Sequence, residues 1–188
     1  MSLEDDEQRI AALRARAHPL RLRMLSLLTG AAMSAAELAR ELQVSQALAS
    51  YHLRQLADAG AVELAEERSR RGGRERRYRY RVEPTVPSHP PAPDDEGRAL
   101  FIEAIIDELR RRSGQRAPEL PGLTIDAELW VDPEDWETAR AAIAAAGTML
   151  HERARRPHDP GTVHLNTTVV LFPMLDEAPT VDLPSQGT

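Results

Sequence analysis

Apolar residues recur along this chain with two different periods, and the switches between them mark its elements. Ile10, Leu13 and Ala17 share one face at helical spacing, which predicts a helix over 5–17. His18-Pro19 ends it, because the residue before proline is biased away from the helical region. Proline then suits the first turn of the next helix, which carries Leu20, Met24, Leu27 and Leu28 and ends near Gly30. Ser34-Ala35-Ala36-Glu37 has the spacing of a capping box and starts a helix with Leu38 and Leu42 on its buried side. Val44-Ser45 is a short turn, and Ser45 is a good N-cap for a helix over 46–59 that stops at Gly60, a C′ glycine. From Val62 the period falls to two. A strand over 62–68, a basic turn centred on Gly72-Gly73 and a strand over 78–82 make a hairpin. In the second strand Tyr78, Tyr80 and Val82 share one face, and Arg77, Arg79 and Arg81 precede them on the other.

Farther along, Phe101, Ile102, Ile105, Ile106 and Leu109 form a broad apolar face on a helix over 94–113. Arg110, Arg111 and Arg112 sit at its C-terminal end, where they complement the helix dipole. Residues 122–131 alternate as a strand, and Asp132-Pro133 opens a helix with a stripe of Trp136, Ala139, Ile143, Ala146 and Leu150. Residues 161–172 read as a second strand, closed by Pro173. Two strands and one helix give a thin core, so this unit is expected to complete its sheet with a partner chain. The fold class is mainly α with β. Residues 1–83 form a winged helix-turn-helix domain, 84–93 a proline-rich linker, and 94–175 a small α+β dimerisation or sensing domain. A disordered tail spans 176–188.

Two short helices joined by a tight turn are the helix-turn-helix layout, and the hairpin behind them is its wing. On the second helix Ala49, Leu53 and Leu56 face the core. Gln46, Ser50 and Arg54, spaced four apart, share the other side with Ala47 and Tyr51. Gln and Arg side chains can bond adenine and guanine edges bidentately. Ser45, Ser50 and Tyr51 can reach phosphate or a base, and Ala47 a thymine methyl. His52, beside the core face, reads as a packing residue with one hydrogen bond.

Charge sharpens this picture. The net −6 divides into +4 over residues 1–82 (15 Arg, 11 acids) and −10 over 83–188 (9 Arg, 19 acids). Only the front half is suited to a polyanion. Eight of the fourteen residues from 68 to 81 are Arg, too dense for an ordinary solvated hairpin. Arg70, Arg71, Arg74 and Arg76 are therefore expected on phosphate or in a minor groove.

The ordered set Ala17-His18-Pro19-Leu20-Arg21-Leu22-Arg23-Met24-Leu25, Ala36-Glu37-Leu38-Ala39, Ser45 to Leu56 and Gly60-Ala61-Val62, with the Arg-rich wing, resembles the ArsR family of bacterial dimeric repressors over about residues 8 to 82. The resemblance implies a winged-helix homodimer that binds a palindromic operator in double-stranded DNA and releases it on a signal. It also implies pairing of the terminal helices across the dimer, here through Phe101, Ile102, Ile105, Ile106 and Leu109. Packing of that face within its own domain is the alternative. The metal-sensing members carry a Cys-x-Cys pair in the helix before the turn, whereas Glu37 to Gln43 contain no cysteine. Release by arsenic or cadmium through that route is not expected. The signal is expected to be a small organic effector or a partner protein.

The chain has no cysteine at all, which excludes disulfides, thiolate metal sites and thiol redox switches. The acidic start, Glu4 to Glu7, is unlike a secretory leader, and no apolar run reaches membrane-spanning length. A cytoplasmic protein without membrane association is expected. His151, His158, Asp159 and His164 are the only clustered metal-type residues, and His158-Asp159-Pro160-Gly161 is more simply a turn. No nucleophile motif, phosphate loop or catalytic carboxylate pair stands out. No enzyme activity, metal or cofactor is expected. The rival to a regulator is a winged helix used as a protein-interaction or architectural module without a sensed ligand.

Overall fold

The computed structural model describes residues 11, 13–70, 73–80 and 95–174. The expected linker, the tail from 176 and most of the first expected helix lie outside them. The elements run α1 (Pro19–Gly30), β1 (Met33–Ser34), α2 (Ala35–Leu42), α3 (Gln46–Asp58), β2 (Glu63–Arg70), β3 (Gly73–Arg79), α4 (Asp95–Ser113) and α5 (Pro133–Glu152).

Each end of the helix-turn-helix is fixed by a local device. His18 caps α1: its Nδ1 accepts from the Leu20 amide at 3.1 Å. Both arms of the predicted capping box form. Ser34 Oγ accepts from the Glu37 amide at 3.4 Å, and Glu37 Oε2 accepts from the Ser34 amide at 2.8 Å. α2 ends in a Schellman motif, with the Val44 amide on Ala39 O at 3.0 Å and the Gln43 amide on Arg40 O at 3.3 Å. Gln43 takes the left-handed conformation there, with φ 56°, at a position that favours glycine. α3 ends the same way. The Ala61 amide reaches Leu56 O at 2.8 Å, and Gly60, with φ 66°, occupies the left-handed position that the sequence predicts for it.

The sheet has the order β1-β3-β2 and is antiparallel throughout. The two-residue β1, too short to read from a pattern, pairs Met33 with Tyr78. The wing strands extend farther toward the tip than the 69–77 turn predicted, since Arg70 already faces Gly73. Cross-strand charge pairing accounts for the longer ladder. Glu63 lies opposite Arg79, Glu66 opposite Arg77, Glu67 opposite Arg76, and Arg68 opposite Glu75. The core gathers Met24, Leu28, Leu38 and Leu56, all fully buried, with Tyr78 and Tyr80 of the wing packed against it.

α4 forms over the predicted span and packs on α1, with Gly97, Ala104 and Glu108 as its buried positions. Small residues at two of these allow close approach. The Glu108 carboxylate is matched by Arg111 Nη2 at 2.8 Å and Arg112 Nε at 3.2 Å.

The rest of the C-terminal half departs from expectation. α5 forms as predicted, but its stripe is not covered: no residue of the helix is buried, and Ile143 is 40% exposed. The strands expected over 122–131 and 161–172 are absent, and both segments run without regular structure. The described residues of this half are therefore helical and irregular rather than α+β. A strand needs a neighbour for its backbone groups and its apolar face, and neither segment forms a ladder in the single chain. Between α5 and the second segment, the chain instead lies on the helix-turn-helix. A Cβ at Gly30 would collide with the Arg155 carbonyl oxygen, so only glycine permits this approach.

Candidate nucleic-acid interface

Burial divides α3 into the two faces that its sequence predicts. Ala49, His52, Leu53 and Leu56 are buried. Gln46, Ala47, Tyr51 and Arg54 are exposed, Ser50 is half-buried, and Ser45 at the N-cap is exposed, with its hydroxyl accepting from the Leu48 amide at 3.2 Å. Leu48 and Gln55 join the exposed side. A helix held on one face by the core and bare on the other is suited to lie in a major groove. The sequence reading missed Arg40 and Gln43. They line an open cleft with Gln46, Ala36, Ala39, Val44 and Glu75 of the wing. Wing and helix-turn-helix thus meet along one rim.

His52 is buried as expected, but its Nδ1 has no hydrogen-bond partner among the described residues. Its ring packs instead against His18, with centroids 4.6 Å apart, and edge-on to Tyr51 at 5.1 Å. Burial, then the adjacent His18 and Arg21, lowers the pKa of His52. Burial and Arg21 also lower that of His18, against the opposing pull of its backbone hydrogen bond. Both rings therefore favour the neutral form, and the cap of α1 touches α3 through them.

The wing is less purely basic than its composition suggests. Arg76 Nε lies 3.3 Å from Glu67 Oε1, and Arg74 Nη1 lies 3.6 Å from the same oxygen. The Glu67 hydrogen bond raises the pKa of Arg76, and the Glu66 hydrogen bond raises that of Arg68. Both Arg74 and Arg76 remain exposed. Arg70 is placed by its backbone in β2, while Arg71 lies outside the described residues. Arg77 turns inward: its guanidinium donates to Ala32 O and to Glu37 Oε1.

Among the described residues no three His, Cys, Asp or Glu side chains group as a metal site. His151 Nδ1 contacts Gly147 O at 2.7 Å, His158 Nε2 lies 3.2 Å from Glu41, and Asp159 pairs with Arg155 at 3.7 Å. Among the same residues no helix is long and apolar enough to cross a membrane.

Residues 17–65 match the model of a family described as a helix-turn-helix domain. No curated protein matches the chain. The match runs from the His18 cap through both helices into β2, the stretch in which the exposed face of α3 is set. This part of the chain is a helix-turn-helix DNA-binding domain.

Proposed function

We propose that the protein is a transcriptional regulator, in the manner of an ArsR-like repressor, that binds a palindromic operator as a homodimer. The observation that carries this reading is the two-faced recognition helix, capped at both ends and seated on a complete core. Its bare side offers Gln46, Ala47, Ser50, Tyr51 and Arg54 to base edges and phosphates. Ser45 marks the helix N-terminus, whose free amides and dipole favour a phosphate. Arg70, Arg71, Arg74 and Arg76 hold the backbone beside it.

The proposed dimer contact is α4. Its own chain leaves Phe101, Ile102, Ile105 and Ile106 only half-buried and Leu109 44% exposed, so apolar surface is left for a second copy. Release from DNA is assigned to an organic effector or a partner protein, and no metal or cofactor enters the reading.

The test is equilibrium binding to DNA fragments selected from a genome, titrated over a salt series. A regulator gives a preferred sequence and affinity that falls steeply with salt. A flat salt dependence with no preferred fragment would favour the interaction-module reading instead.

A further inference from the structure

We infer that residues 122–131 and 162–172 are the strands of a sheet assembled between two copies of this chain, the first segment of one copy pairing with the second segment of the other. Eleven large apolar side chains on these segments are between 47% and 85% exposed in the single chain. Large apolar side chains exposed in such number on a segment mark an association surface.

The occupant is a second copy because the two segments are complementary to each other yet form no ladder within one chain. Both alternate, and in the same phase. Ile125, Leu129 and Val131 fall on one face of the first, and Leu165, Val169 and Leu171 on one face of the second. Their lengths match within a residue. Charge then selects the pairing. The polar face of the first segment carries Asp126 and Glu128, so antiparallel pairing with itself about Ala127 would set these carboxylates opposite each other, which is destabilising. The second segment contains no acid, and its other face carries His164 and Asn166, followed by Val170 and Phe172 toward its end.

A two-fold axis supplies each first segment with a second one and leaves no segment over. Two strands are marginal in water, whereas four with a covered face are not, and the two acid-free second segments can lie side by side across the axis to join the two ladders into one sheet. The cover is α5, none of whose residues is buried in the single chain. The second segment is tied to its own chain where Arg112 Nη1 donates to Asn166 Oδ1 at 3.1 Å and, at its start, where Thr162 Oγ1 donates to the Asp159 carbonyl at 2.6 Å. The inference shares with the proposed function only the need for two copies, and it makes no use of DNA.

Hydrogen–deuterium exchange of the full chain tests it, run along a dilution series in which sedimentation gives the dimer fraction. Amides of 122–131 and 162–172 should be protected in the dimer and lose protection together as it dissociates. Protection that persists in the monomer would mean pairing within one chain. A dimer with both segments unprotected would place the interface elsewhere, and a chain that stays monomeric would have no such sheet. Each of these overturns the inference. If the dimer survives every dilution, Val169→Lys decides. It should weaken the dimer by roughly tenfold or more, because it places an unpaired charge on the apolar face. It should also expose both segments while the melting of the helix-turn-helix is unchanged. An unaltered dimer with unaltered protection would refute the pairing.

Discussion

Arg77 Nη2 of the wing lies 2.9 Å from Glu37 Oε1, while the other oxygen of the same carboxylate holds the Ser34 amide at the start of α2. Arg77 also donates to the Ala32 carbonyl, and Arg156 stands 3.7 Å from Glu37 Oε1. One carboxylate thus joins the N-terminus of α2, the middle strand of the sheet and the chain that follows α5. The Arg77 and Glu37 side chains are 12% and 18% exposed, so the pair is shielded far more than the other wing pairs. Loss of either partner leaves a poorly solvated charge. Arg77→Ala and Glu37→Ala should each cost about 1–3 kcal/mol of stability, and the double variant less than the sum. Chemical denaturation of the four proteins measures this. Strict additivity would remove the coupling. Arg79→Ala, at an exposed position on the same strand, should change stability by less than about 0.5 kcal/mol.

Glu37 and two histidines of the same domain give the protein an acid-sensitive stability. For His18 and His52 the folded pKa is depressed, so their contribution is complete above the ordinary value of 6.5 and is lost as pH falls through the folded values. Glu37 acts lower. Burial alone would raise its pKa, but the Ser34 amide and hydroxyl and the Arg77 guanidinium outweigh burial and hold it below the ordinary 4.5. Its contribution is present above 4.5 and is lost as pH falls further. The melting temperature should therefore decline in two stages, the first beginning near pH 6.5. In a His18→Gln, His52→Gln variant the first stage should flatten while the second remains. An unchanged first stage would assign it to other groups.

In the proposed DNA complex, Glu67 competes with phosphate for two wing arginines. Glu67→Gln frees Arg74 and Arg76 from the carboxylate they share, and should tighten binding to every sequence. Arg70, Arg71 and Arg74 replaced by Ala should do the reverse, weakening all sequences alike and reducing the salt slope by about 0.9 for each phosphate no longer neutralised. Gln46→Ala or Arg54→Ala should instead relax discrimination at particular base pairs, by about 1–3 kcal/mol for each bidentate pair removed. Fluorescence anisotropy on matched and mismatched duplexes separates the two effects. If wing and helix variants behave alike, the division of labour is wrong.

Much of the DNA-binding half is legible in the chain because its signals are local. The capping box at Ser34, the N-cap at Ser45, the C′ glycine at Gly60 and the buried stripe of α3 each depend on a few neighbouring residues. What escapes the sequence depends on distant partners. Arg77 looks like every other wing arginine until β1 and α2 bring Ala32 and Glu37 beside it. Gln43 carries no sign of a left-handed turn. The acids of β2 that partly neutralise the wing are visible only once the register is known. The strands expected at 122–131 and 161–172 rest on alternation alone, which reports a face to be covered but not what covers it.

Footprinting of the selected operator with full-length protein is the most direct measurement of the central claim, that two copies of α3 read DNA together. The account predicts two protected half-sites in inverted repeat, about 34 Å apart, one turn of the duplex. It also predicts that Gln46→Ala and Arg54→Ala change the base preference equally in both. A single protected stretch without an inverted repeat, or a base preference indifferent to Gln46 and Arg54, would contradict it.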